Sequence, residues 1–145
     1  MIVSRSPGRR YVLDANAVIA FFEGRQPAAG RVRKLLAEAD RSNLPLWMSA
    51  VNWGEVYYIE WRRYGEAKAQ QAEVNLHRLP IVVIAADLER ATRAATLKQR
   101  HNLGYADSFA AELAIERAAS LVTADPEFSR LGRMLSLFPL PRPEQ

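Results

Sequence analysis

The segment Ile81-Val82-Val83-Ile84 constrains the fold more than any other. A strand wet on one face alternates polar and apolar side chains. Four consecutive β-branched apolar residues predict a strand buried on both faces, the situation in a parallel sheet covered by helices. Comparable short runs occur at Tyr11-Val12-Leu13, Leu46-Trp47-Met48-Ser49 and Ser120-Leu121-Val122-Thr123, and Leu135 to Pro139 reads as a final edge strand. Between the runs lie helical patterns over Ala15 to Phe22, Ala28 to Arg41, a segment capped by Ser49 or Asn52 and ending near Tyr64, Glu66 to Leu79, Ala86 to Asn102, Tyr105 to about Ala119, and Pro126 to about Arg133. Strands alternating with helices predict an α/β fold. The expectation is one domain over residues 1–145, with a central, mostly parallel sheet of four to five strands flanked by helices. Residues 1–9 and 140–145 read as loose ends.

Punctuation refines this frame. Gly65 and Pro80 end helices. Gly104 is expected to adopt positive φ and terminate the helix before it, so that a new helix starts at about Tyr105. Asp107 then lies in the first turn of that helix, where the positive end of the macrodipole favours a carboxylate.

The chain has no cysteine, which excludes disulfides and thiolate zinc sites. Its two histidines, His77 and His101, lack HxxxH or HExxH spacing and read as solvated helix-end residues. No apolar run approaches the roughly 18 residues of a membrane span. The first ten residues are polar and basic without an apolar h-region, so the expected location is the cytoplasm. A net charge of +4 weakly favours polyanionic partners.

Four acids stand out by placement: Asp14, Glu55, Asp107 and Asp125. Singly, each has an ordinary role. Asp14 and Asp125 suit N-caps, with Pro126 at N1; Asp107 suits a helix dipole; Glu55 suits a solvated helix face. Together they converge. Asp14 and Asp125 end strands, Glu55 lies in the first turns after a strand, and Asp107 begins the helix that feeds the strand before Asp125. Open parallel sheets place ligand sites beyond the carboxyl ends of their strands. Clustered carboxylate oxygens there suit Mg²⁺ or Mn²⁺.

The segments Val12-Leu13-Asp14-Ala15-Asn16, Trp53-Gly54-Glu55-Val56, Ala106-Asp107-Ser108-Phe109-Ala110-Ala111 and Val122-Thr123-Ala124-Asp125-Pro126-Glu127-Phe128 resemble the four acidic motifs of the PIN-domain nucleases, and especially those of VapC-type toxins. The similarity runs from Tyr11 to about Phe138, with all four motifs in order. It implies a metal-dependent endoribonuclease toxin that hydrolyses RNA phosphodiester bonds by attack of metal-bound water and is neutralised by a cognate antitoxin. By that resemblance Asp14, Glu55, Asp107 and Asp125 are the catalytic and metal-binding acids, Asn16 and Thr123 order the site, and the cofactor is Mg²⁺ or Mn²⁺.

RNA must also be held, and Arg9, Arg10, Arg62, Arg63, Arg90, Arg93, Lys98 and Arg100 are candidate phosphate contacts, with Arg62 and Arg93 chosen among them. Trp53, Tyr57, Trp61 and Tyr64 form a stripe on one helix, suited to core packing or to a homodimer or antitoxin interface. Two other classes of function remain open. One is a catalytically silent module that binds RNA or protein. The other is a phosphatase-like enzyme with Asp14 as nucleophile, disfavoured because Asn16 stands where a DxD pair would place its second acid.

Overall fold

The computed structural model describes residues 9–142. Five strands, β1 (Tyr11–Leu13), β2 (Leu46–Ser49), β3 (Ile81–Ile84), β4 (Ser120–Thr123) and β5 (Ser136–Pro139), form one sheet in the order β3-β2-β1-β4-β5. Every pairing is parallel. Parallel neighbours require crossovers, and helices supply them: α1 (Ala15–Glu23), α2 (Ala28–Ser42), α3 (Ala50–Tyr64), α4 (Glu66–His77), α5 (Leu88–His101) and α6 (Tyr105–Glu116). A 3₁₀ segment, Pro126–Met134, connects β4 to β5. The expected single α/β domain, with five strands, is the architecture found. No helix among the described residues is long and apolar enough to cross a membrane.

The core divides along the pleat. On the central strands, Leu13, Met48 and Val122 face one way, onto α1, α2 and α3. Val12 and Leu121 face the other, onto Leu113, Ala110 and Ala114 of α6 and Phe128 of the 3₁₀ segment. Adjacent residues therefore serve opposite layers, and all five of these strand side chains are fully buried. At roughly 1.5–3 kcal/mol for each large apolar side chain buried, this double layer is the main stabilising contribution.

The strand whose sequence predicted burial on both faces does not lie in the middle. β3 is an edge strand, and Val82 is 43% exposed. Its β-branched residues fit the pleated backbone whether or not both faces are covered, so composition marked the strand and misjudged its place. Gly104 also departs from expectation. Its φ is −60°, and the left-handed residue that ends α5 is Asn102, with φ 54°. Asn tolerates that conformation through its short polar side chain.

The helix ends otherwise follow chemistry visible in the chain. Ser49 caps α3, accepting from the Val51 N–H at 3.2 Å, and Asp87 caps α5, accepting from the Arg90 N–H at 2.9 Å. α6 stops at Glu116, short of the expected Ala119, after which Ala118 turns with φ 51°. Leu140, expected in a loose tail, is buried, and its N–H bonds to the Thr123 carbonyl at 2.8 Å. Residues 1–8 and 143–145, expected to be loose, lie outside the described residues.

Candidate metal centre

In this strand order the chain steps outward from β1 to β2 and β3, then returns to the other side of β1 with β4 and β5. The reversal falls between β1 and β4. Crossover helices leave those two strands in opposite directions, which opens a crevice at their carboxyl ends. Asp14 follows β1 directly and Thr123 ends β4, so both stand at the crevice.

Asp14 is 2% exposed and is also the N-cap of α1. Its Oδ1 accepts from the Ala15 N–H at 2.9 Å. Its Oδ2 accepts from Thr123 Oγ1 at 2.8 Å and Asn16 Nδ2 at 3.0 Å. Asn16 Oδ1 in turn accepts from the Ala124 N–H at 3.0 Å, and Thr123 Oγ1 accepts from the Asp125 N–H at 3.0 Å. Asn16 and Thr123 thus tie the loop after β4 to the start of α1. Asp125 caps the 3₁₀ segment through the Glu127 N–H at 2.9 Å.

Asp107 lies in the first turn of α6 and Glu55 in the second turn of α3. Asn52, fully buried one turn before Glu55, connects them: its Nδ2 donates to Glu55 Oε1 and to the Ala106 carbonyl, each at 3.0 Å. Sequence reading treated Asn52 only as an alternative helix cap. Its spacing of three from Glu55 was the available signal, since residues three apart share a helix face.

The electrostatics link these acids. Burial, and then the charges of Asp107 and Glu55, push the Asp14 carboxyl up to about 7 against the pull of its hydrogen bonds. Asp107 is raised to about 6, first by desolvation and then by Asp125, Glu55 and Glu127. A cavity of about 300 Å³ is lined by Asp14, Asn16, Glu55 and Asp107, with Arg25 and Arg63 among the other lining residues. Carboxylate oxygens of Asp107, Asp125 and Glu127 lie within 4.8 Å of one another. Glu127 was missed as a site acid, although it stands two residues after Asp125 in the same motif.

An all-oxygen donor set at this spacing fits a hard divalent cation such as Mg²⁺ or Mn²⁺, with metal–oxygen bonds of about 2.1 Å for Mg²⁺. The raised carboxyls supply the reason: desolvated, mutually repelling anions favour a cation among them. Asp107, Asp125 and Glu127 could hold the ion directly. Asp14 and Glu55 add charge from across the crevice.

The basic candidates scatter. Arg93 pairs with Glu89 and Glu112, and Arg90 with Glu112 and Glu116, on the α5–α6 side, where neither lines the acidic cavity. Arg62 packs over Tyr58, Arg10 over Trp47, and Lys98 donates to the Leu103 carbonyl. Only Arg63 of the eight lines the cavity, joined by Arg25, which sequence reading did not consider. Of the aromatic stripe, Trp53 packs against the core, whereas Trp61 and Tyr64 are 45% and 51% exposed.

A parallel α/β domain with clustered carboxylates at its switch point defines a fold whose crevice is suited to a hard divalent cation. The family model described as the PIN domain matches residues 11–134, and the chain belongs to that family. Solved structures share the fold. Mycobacterium tuberculosis VapC20, described as a sarcin-ricin loop cleaving toxin, is 17% identical, with a TM-score of 0.70 over 84% of this chain and 95% of that one. VapBC2 from Rickettsia felis, bound to a DNA fragment from their promoter, is 20% identical, with a TM-score of 0.68 over 89% and 97%. A toxin–antitoxin complex from Klebsiella pneumoniae is 20% identical, with a TM-score of 0.64 over 90% and 99%. Comparison with curated protein sequences finds no match.

Proposed function

We propose that this chain is a Mg²⁺- or Mn²⁺-dependent endoribonuclease toxin, restrained by a cognate antitoxin, with Asp14, Glu55, Asp107, Asp125 and Glu127 as its acidic site. The observation that carries the reading is the raised Asp14 and Asp107 pair, at about 7 and about 6, facing one cavity. Buried anions that repel one another are a cost to the fold unless a cation joins them. When bound, a divalent cation polarises a phosphoryl oxygen and lowers the pKa of water. The chain's own part is orientation. Asn16 and Thr123 fix Asp14, Asn52 fixes Glu55, and Asp107 sits at the positive end of α6.

Membership of the PIN family supports the nuclease class, and the toxin and toxin–antitoxin descriptions of the similar folds support the regulatory setting. The phosphatase-like reading is weaker, because both oxygens of Asp14 are engaged and the group is buried. We place the protein in the cytoplasm. The exposed end of the α3 stripe, Trp61 and Tyr64, is a surface suited to a second copy or to the antitoxin.

Incubating purified protein with an RNA pool in Mg²⁺, in Mn²⁺ and in EDTA tests the reading. Cleavage should require the metal, and Asp14→Asn or Asp107→Asn should lower it at least about a hundredfold. Expression of the wild-type chain alone should arrest growth. RNA left intact in both metals by folded protein overturns the proposal.

A further inference from the structure

We infer that Arg25 and Arg63, pinned side by side on the buried carboxylate of Glu23, form a phosphate-binding subsite for the RNA strand at the far end of the acidic crevice. The inference rests on the ribonuclease reading and adds the place where the backbone is gripped.

The two helices that border the crevice are built alike. α1 begins at Asp14 and ends at Gly24, whose φ of 67° turns the chain so that Arg25 follows. On α3, Glu55, Ile59 and Arg63 recur every four residues and all line the same cavity. Eight residues at 1.5 Å each put Arg63 about 12 Å from Glu55 along the helix. α3 thus carries its acid toward the start and Arg63 in its last turn, where a cation complements the macrodipole, while Asp14 caps the start of α1 and Arg25 follows its end. The crevice between them is acidic at the sheet and basic at its other end.

Glu23 sets the two guanidiniums. Arg25 reaches its Oε1 at 2.7 Å and Arg63 its Oε2 at 2.8 Å, while Tyr64 donates to Oε1 at 3.2 Å. The Glu23 side chain is only 6% exposed, whereas those of Arg25 and Arg63 are 44% and 38% exposed. Glu60 also borders Glu23, its carboxyl held up at about 7 by burial and by the Glu23 charge. Below that pH one charged carboxylate therefore stands against two guanidiniums, and the cluster keeps a net positive charge. Each guanidinium has five N–H donors, so most remain free to face an incoming anion. Arg is well matched to phosphate because its planar fork can bind two oxygens together. A strand with one phosphate at the carboxylate cluster, where a cation would offset the repulsion, places a phosphate farther along the strand, beyond the adjacent one, at this pair.

The test is equilibrium binding of a fluorescent single-stranded RNA in EDTA, across a salt series, for wild type, Arg25→Gln, Arg63→Gln, the double variant and Arg33→Gln. Arg33 is an exposed residue of α2 that lines none of the cavities near the crevice. Losing one phosphate contact on a single strand should flatten the slope of log affinity against log salt by about 0.7, and losing both by about 1.4. Affinity should fall about tenfold for each single change at low salt, and KM for metal-dependent cleavage should rise with kcat retained. Arg63→Lys keeps the charge and should restore the slope; it also serves if the glutamine variant fails to fold. Wild-type cleavage with unchanged slope, affinity and KM in both single variants, or losses matched by Arg33→Gln, overturns the subsite and leaves the ribonuclease reading standing. Absence of metal-dependent cleavage by wild type refutes that reading and this subsite with it.

Discussion

Asp107→Asn should stabilise the metal-free protein and destroy its response to metal. Asp107 is raised from 3.8 to about 6 in the fold. A carboxyl with a raised folded pKa binds its proton more tightly when folded. Its effect is absent below the unfolded value and becomes a loss of stability as pH rises through the folded one. The difference of about 2.2 units corresponds to about 3 kcal/mol. Asp107 is partly exposed, and solvent screening brings this nearer 1–2 kcal/mol. The amide carries no charge, so in EDTA at pH 8 the variant should melt roughly 4–8 °C above wild type, taking about 4 °C per kcal/mol. At pH 4 the two should converge. Divalent metal at a hundred times its Kd should raise wild type by about 2.7 kcal/mol, or roughly 10 °C, and the variant by a small part of that. The order of melting therefore reverses between EDTA and Mn²⁺. Differential scanning calorimetry at matched ionic strength measures it. A variant that melts below wild type in EDTA at pH 8, or gains the full metal shift, refutes the argument.

Three further outcomes follow from neighbouring residues. Asn52→Ala removes the tie between Glu55 and the start of α6, and should weaken metal affinity by about 10- to 100-fold in a calorimetric titration, with about 1–3 kcal/mol lost in urea unfolding. Gly104→Ala keeps an ordinary φ, but its Cβ would stand 2.9 Å from Asp107 Oδ2, so cleavage should drop several-fold while the circular dichroism spectrum is unchanged. Glu60, buried on α3, is held at about 7, first by desolvation and then by the charge of Glu23. Its destabilising effect grows from about pH 4.5 through pH 7, so Glu60→Gln should gain up to about 3 kcal/mol on wild type between pH 5 and pH 8, read from urea midpoints.

The sequence was most informative where one residue type does a local job. Asp87 and Ser49 cap helices as their chemistry requires, and the acids at strand ends were visible because strand boundaries were. Position across the sheet was not legible in Ile81 to Ile84, because β-branched residues suit an edge strand as well as a central one. Gly104 was read as a left-handed residue, yet Asn102 takes that role and Gly104 makes room for a carboxylate. Arg25 and Asn52 were passed over for a common reason. Each has one partner close by in the chain, Glu23 and Glu55, but the groups that tie them to the crevice, Arg63 and the Ala106 carbonyl, depend on which helices pack together. Leu140 was assigned to a tail because prolines surround it, although its own apolar side chain finds the core.

The bond from Thr123 to Asp14 joins residues 109 apart in the chain. Such a closure comes late in folding, since the intervening segment loses its freedom before the contact returns anything. During synthesis the first half of the chain can form β1, β2 and the helices between them, but it holds only Asp14 and Glu55. Asp107 comes with α6, Thr123 with β4 and Asp125 with the loop after it, and all three emerge after those elements. A chain synthesised only that far therefore carries part of the acidic crevice and lacks the rest. The order of these residues along the chain postpones assembly of the acidic crevice until β4 and the loop after it have been made.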